Sequence, residues 1–136
     1  MTTQMKQITL YFLFVFFCFS CREPEDAPTF SNVAVAKTWK AGYARDNGNV
    51  FTSIYNGWRF TFNADGNLVV TGGGTTMNGT WKENAPARQV ELLINSSALP
   101  AVFVSRTWDV SFLTPTRIKL ADNRFSPTQE FYLDKP

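Results

Sequence analysis

Gly57 to Asn63 (GWRFTFN) alternates strictly, with Trp58, Phe60 and Phe62 on one side and Arg59, Thr61 and Asn63 on the other. A period of two belongs to a half-buried β-strand, whose successive side chains point to opposite faces of a sheet. Ala64, Asp65 and Gly66 follow at once: Asp65 can bond its own backbone, and Gly66 tolerates the left-handed conformation that a Cβ resists. The same grammar of short alternating runs, punctuated by glycine, asparagine and proline, continues to the end of the sequence. Helical periodicity is nearly absent from it. An all-β meander is therefore predicted.

Taken in order, Asn32 to Lys37 offers one turn of helix, and Trp39 to Ala44 is the first predicted strand. Asp46 to Asn49 (DNGN) supplies a tight turn, after which Val50 to Tyr55 is expected to pair back. Asn67 to Thr71 returns from the Asp65 turn, and Gly72 to Gly74 reads as a flexible link to Met77–Lys82. There Met77, Gly79 and Trp81 share a face, and Gly79 allows a neighbouring group to approach the sheet closely. Val90, Leu92 and Ile94 alternate again, and Asn95 to Pro100 is an irregular loop of the kind that carries recognition. Val102 to Leu113 resumes as a strand with Trp108, Val110 and Phe112 inward. Ile118 and Leu120, then Phe131 and Leu133, complete a count of eight or nine strands.

Ahead of this domain lies a different kind of sequence. Ile8 to Ser20 is a run of 13 mostly apolar residues behind Lys6, shorter than the roughly 20 needed to cross a bilayer. Basic residue, apolar stretch and small residue before a cut form the layout of a secretory signal. Cys21 ends the run. The segment resembles the signal of a bacterial lipoprotein, in which a peptidase cuts before a lipid-bearing cysteine, although Cys18 and Phe19 stand where that signal usually has a leucine and a small residue. The resemblance implies lipidation at Cys21 and an outer-membrane location, on the periplasmic or the cell-surface face; ordinary cleavage after Ser20 is the rival. Arg22 to Ser31, with two prolines and three acids, reads as an extended tether. The expected organisation is residues 1–20 signal, 21–31 lipidated cysteine and tether, and 32–136 the domain.

Trp39 in the first strand, the FTFNADG hairpin, Gly79-Thr80-Trp81 and the late WDVSFLTPTRIKL segment, in that order, resemble the lipocalin-like domains of small Gram-negative lipoproteins. The similarity runs from about Val35 to Leu133. It implies a single up-and-down antiparallel β-barrel of about eight strands. Lys37 replaces the glycine of the family's G-x-W motif, and the T-D-Y loop motif has no clear counterpart; a shared fold does not by itself carry a ligand across.

The sequence contains no histidine, and after Cys21 no cysteine. Ser-His-Asp and Cys-His machinery and a histidine or thiolate zinc site are thereby excluded. A carboxylate pair, Glu91 and Asp109, falls on neighbouring strands, but alternation places both on the solvent face. Asp65 with Asn63 and Asn67 lacks the full ligand set of a calcium loop. Neither a metal nor any other cofactor is expected, and no enzyme activity. Beyond Cys21 the balance is 12 basic to 11 acidic residues, so no nucleic-acid partner is implied. The expected function is binding, with a small apolar or aromatic-stacking ligand at the barrel mouth near Trp58, Phe60, Trp81 and Trp108. The alternative is a surface protein with a filled core that recognises another envelope or host molecule through its loops. An eight-stranded barrel accommodates either interior.

Overall fold

The computed structural model describes residues 27–136; the predicted signal and Cys21 lie outside them. Nine strands run in chain order: β1 (Thr38–Asp46), β2 (Asn49–Val50), β3 (Arg59–Phe62), β4 (Asn67–Gly72), β5 (Thr75–Asn84), β6 (Gln89–Ile94), β7 (Arg106–Thr114), β8 (Arg117–Asp122) and β9 (Gln129–Asp134). Every pairing between them is antiparallel. β1 pairs with both β3 and β9, so eight strands close into an up-and-down barrel, and β2 is a short extra strand on the end of β1. Closure removes the open edges that would otherwise template aggregation. The expected fold class is the observed one.

Alternation builds the interior. Phe60 and Phe62 of β3, Leu68 and Val70 of β4, Val90 and Leu92 of β6, Ile118 and Leu120 of β8, and Phe131 and Leu133 of β9 are all fully buried, as are Trp39 and Trp108. Edge-to-face ring pairs link Phe60 to Phe131 at 5.6 Å and Phe103 to Trp108 at 5.6 Å, a geometry that aromatic quadrupoles favour. Of the two interiors open to a barrel of this size, this chain has the filled one.

Two short helices close the barrel's ends. α1 (Phe30–Ala34) sits at the end where β1 begins, and α2 (Leu99–Val104) at the end where β7 begins. Each delivers a carbonyl to a buried indole: Trp39 Nε1 donates to Ala34 O at 3.2 Å, and Trp108 Nε1 to Val104 O at 2.9 Å. The indole N–H groups are thus satisfied inside an apolar core, where an unpaired donor would cost about 1–3 kcal/mol.

Several expectations are corrected. The tether does not extend to Ser31: Phe30 is fully buried against Phe62 and Trp81, and the Phe30 and Ser31 amides and the Ser31 hydroxyl all donate to the Glu83 carboxylate. The expected helical turn therefore begins two residues earlier. Only Asn49 and Val50 pair back on β1, and Thr52–Tyr55 turns as a 3-10 helix that buries Tyr55. Gly73 and Gly74, both at positive φ, form a tight two-residue hairpin rather than a loose link. Val102 to Val104 belongs to α2, not to a strand. In β7 a bulge at Ser111 breaks the alternation, since Val110 pairs with Leu120 and Phe112 with Lys119. Phe112 is consequently turned out, 43% exposed, and Leu113 packs on the core instead. At Gly79 a Cβ would lie 2.0 Å from the Leu93 carbonyl, so the close neighbour is the backbone of β6 and not a ligand.

Candidate functional site at the end capped by α2

The four aromatic residues expected at a mouth do not converge there. Phe60 and Trp108 are fully buried in the packed interior. Trp58 is half-buried beside Tyr55 and Phe60. Trp81 lies toward the opposite end, packed on Phe30 and Phe62 with its Nε1 donating to Asn63 O at 2.9 Å. The physical reason is area: a ring that can leave water does so, and an eight-stranded barrel has room for these rings and little else.

What the end capped by α2 presents instead is an open groove of about 580 Å³, lined by Asp46, Asn47 and Asn49 of the β1–β2 hairpin, Phe51 and Ile54, Leu99, Val102 and Phe103 of α2, and Arg106. Its apolar wall is unusually open to water: Leu99 is 81% exposed, Val102 48% and Ile54 45%. α2 can hold this face outward because its other side is anchored by Ala101, Phe103 and Val104, all buried. Pro100 begins the helix where its missing N–H costs nothing, and its carbonyl accepts from Tyr55 Oη at 2.7 Å. Burial holds the Tyr55 hydroxyl well above its ordinary pKa, with the nearby Arg106 charge opposing, so it remains a donor at any physiological pH.

Arg106 is the polar centre of the groove. Its guanidinium lies 4.9 Å over the Phe103 ring and 5.2 Å over Trp108, and its Nε donates to Phe103 O at 2.8 Å. Stacking and this bond fix the plane of the group. Its terminal nitrogens make no hydrogen bond among the described residues; the nearest carboxylate oxygen, Asp122 Oδ2, stands 3.7 Å from one of them. Asp122, 1% exposed, is already held by Arg124, whose Nε and a terminal nitrogen donate to its two oxygens at 2.8 Å each. Asp46 accepts from Gln129 Nε2. Burial pulls the Arg106 pKa down from its usual value, with Asp122 and then Asp46 opposing; an arginine nonetheless stays charged. The groove thus combines a positioned cation, an apolar wall and one carboxylate at its edge.

The remaining candidates do not converge on a site. Glu91 is exposed on the outer face of β6. Asp109 pairs in register with Gln89 rather than with Glu91, and accepts from Gln89 at 3.0 Å and Asn123 at 3.2 Å. Asp65 accepts from the backbone and side-chain amides of Asn67 at 2.9 and 2.8 Å, closing its own turn. Among the described residues no three acidic, histidine or cysteine side chains come together as metal ligands.

Solved structures share this fold, two of them from Bacteroides. One is a DUF4847 family protein from Bacteroides vulgatus (TM-score 0.57, 15% identity, 78% of this chain and 96% of that one); the other is an uncharacterised protein from Bacteroides eggerthii (TM-score 0.51, 15% identity, 74% and 98%). At that identity the likeness is one of fold alone. No family model and no curated protein matches the sequence.

Proposed function

We propose that this chain is a lipid-anchored envelope lipoprotein, tethered at Cys21 to the outer membrane, whose lipocalin-like barrel binds a small amphipathic ligand in the α2 groove and catalyses nothing. The ligand sits outside the barrel rather than within it. Its apolar body covers Leu99, Val102 and Ile54, and its anionic group meets Arg106. The single observation that carries this reading is Arg106: a guanidinium stacked on Phe103 and Trp108, whose terminal nitrogens donate no hydrogen bond among the described residues and of which one stands 3.7 Å from the Asp122 carboxylate, beside exposed aliphatic side chains. Groove volume supports it too, since sites for small molecules run from about 300 to 1,000 Å³. Support for the anchor comes from the signal-like run that ends at Cys21.

A second reading, recognition of a protein partner, is favoured by Leu99, whose exposure leaves an aliphatic side chain for a partner to cover. Fluorescence titration with anilinonaphthalenesulfonate, an aromatic body bearing one anionic group, separates the two. Saturable binding weakened tenfold or more by Arg106→Gln supports the small-ligand reading, because a hydrogen bond to a charged group is worth about 1.5–3 kcal/mol. Binding indifferent to both Arg106→Gln and Leu99→Ser would place the ligand elsewhere and defeat it.

A further inference from the structure

The opposite end carries a second surface that the groove does not use. The bulge at Ser111 turns Phe112 out of the core, and beside it Lys40, Arg117, Asp134 and Lys135 surround a shallow concavity of about 660 Å³. Lys119 adds its ammonium 5.2 Å over the Phe112 ring. Arg117 is paired with Asp134 at 2.6 Å, whereas Lys40 and Lys135 are exposed and form no ion pair among the described residues. Bulges re-aim side chains and are better treated as features than as defects. This one leaves an exposed ring set among cations, the composition of a protein face that lies at a bilayer's polar interface, where a ring enters the headgroup boundary and ammonium groups meet phosphates.

Position agrees with composition. The described chain begins at this same end, where Ala27 and Pro28 line one cavity together with Arg88 and Leu113, the residue next to Phe112. Cys21 is six residues upstream of Ala27, a reach of at most roughly 20 Å. A lipid on Cys21 therefore keeps the α1 end near the bilayer and turns the α2 groove away from it. Glu23, Glu25 and Asp26 in the intervening segment oppose attraction to an anionic surface, so the attraction has to come from the rim itself.

We propose that the rim formed by Lys40, Phe112, Arg117 and Lys135 is a lipid-facing surface that seats the barrel on anionic, phosphate-bearing head groups. The orientation rests on the anchor at Cys21; the affinity of the rim does not, and the two are tested apart. Residues 27–136 form a closed barrel with its own core and serve as the unlipidated probe. In cosedimentation with vesicles at low salt, this domain binds phosphatidylglycerol mixed with phosphatidylcholine in equal parts and not phosphatidylcholine alone. Each of Lys40→Gln and Lys135→Gln weakens binding about fivefold, as expected for one cation near a charged bilayer, and Phe112→Ser weakens it further. Both glutamine variants replace exposed side chains, and unchanged tryptophan emission verifies their fold. Equal sedimentation with both vesicle types, or binding unaffected by all three substitutions, overturns the proposal. The anchor has its own arm: Cys21→Ala in the full chain releases the protein from the membrane fraction at high salt, and retention there contradicts lipidation whatever the vesicles show.

Discussion

The two ends of the barrel are closed by the same device and put to different use. At each, a short helix offers a carbonyl to a buried tryptophan, Ala34 to Trp39 and Val104 to Trp108. Yet α1 buries Phe30, Val33 and Ala34, whereas α2 leaves Leu99 and Val102 in water. Capping alone accounts for α1. It does not account for α2, because apolar side chains that cap nothing are a surface, and this surface adjoins a half-buried guanidinium. The difference separates a structural plug from a candidate site without appeal to any relative.

The contrast is broken most forcefully at Phe30. Phe30→Ala removes a fully buried ring and is expected to cost about 3–5 kcal/mol in urea unfolding; a loss near 1 kcal/mol would mean that α1 is not a plug. Asp122→Asn ranks next. The Arg124 hydrogen bond, opposed by burial, holds the Asp122 carboxyl below its ordinary value. Its contribution to stability is accordingly present above the carboxyl's unfolded pKa and is lost as pH falls through the lower folded value, below about pH 4. Asp122→Asn lowers stability at neutral pH and flattens this acid limb, which a urea series across pH detects; an unchanged limb would remove Asp122 from the network beneath the groove. Smallest is Leu99→Ser, expected to shift stability by no more than about 0.5 kcal/mol, since its side chain touches little. A core-sized loss there would mean that the outer face of α2 is packed like that of α1 and erase the contrast.

Much of the barrel was legible because a half-buried strand writes its burial into every second residue. Trp58, Phe60 and Phe62, or Val90, Leu92 and Ile94, admit no other face. What escaped has a common cause. Phe30 is one apolar residue among polar ones, and its partners are distant in sequence: its ring packs on Phe62 and Trp81, and its amide donates to Glu83, 53 positions away. Leu99–Val104 is a continuous apolar run whose period is undefined, and Pro100 at its start was the one available signal. A single extra residue at Ser111 inverts the faces of Phe112 and Leu113 without a mark in the pattern. The α2 groove escaped for a related reason. Aromatic alternation identifies what is buried, and the groove is made of what is not: aliphatic side chains and Arg106, brought together from three connections by closure of the barrel.

Mapping of a bound probe by two-dimensional NMR on residues 27–136 tests the central claim most directly. Titrated with anilinonaphthalenesulfonate, the backbone amides of Ile54, Leu99, Val102 and Arg106 are expected to shift saturably together, while the interior amides of Phe60, Leu68 and Leu120 stay fixed. Shifts that spread through those interior positions, or that appear only at Phe112 and the α1 end, would contradict a solid barrel with its recognition surface at α2.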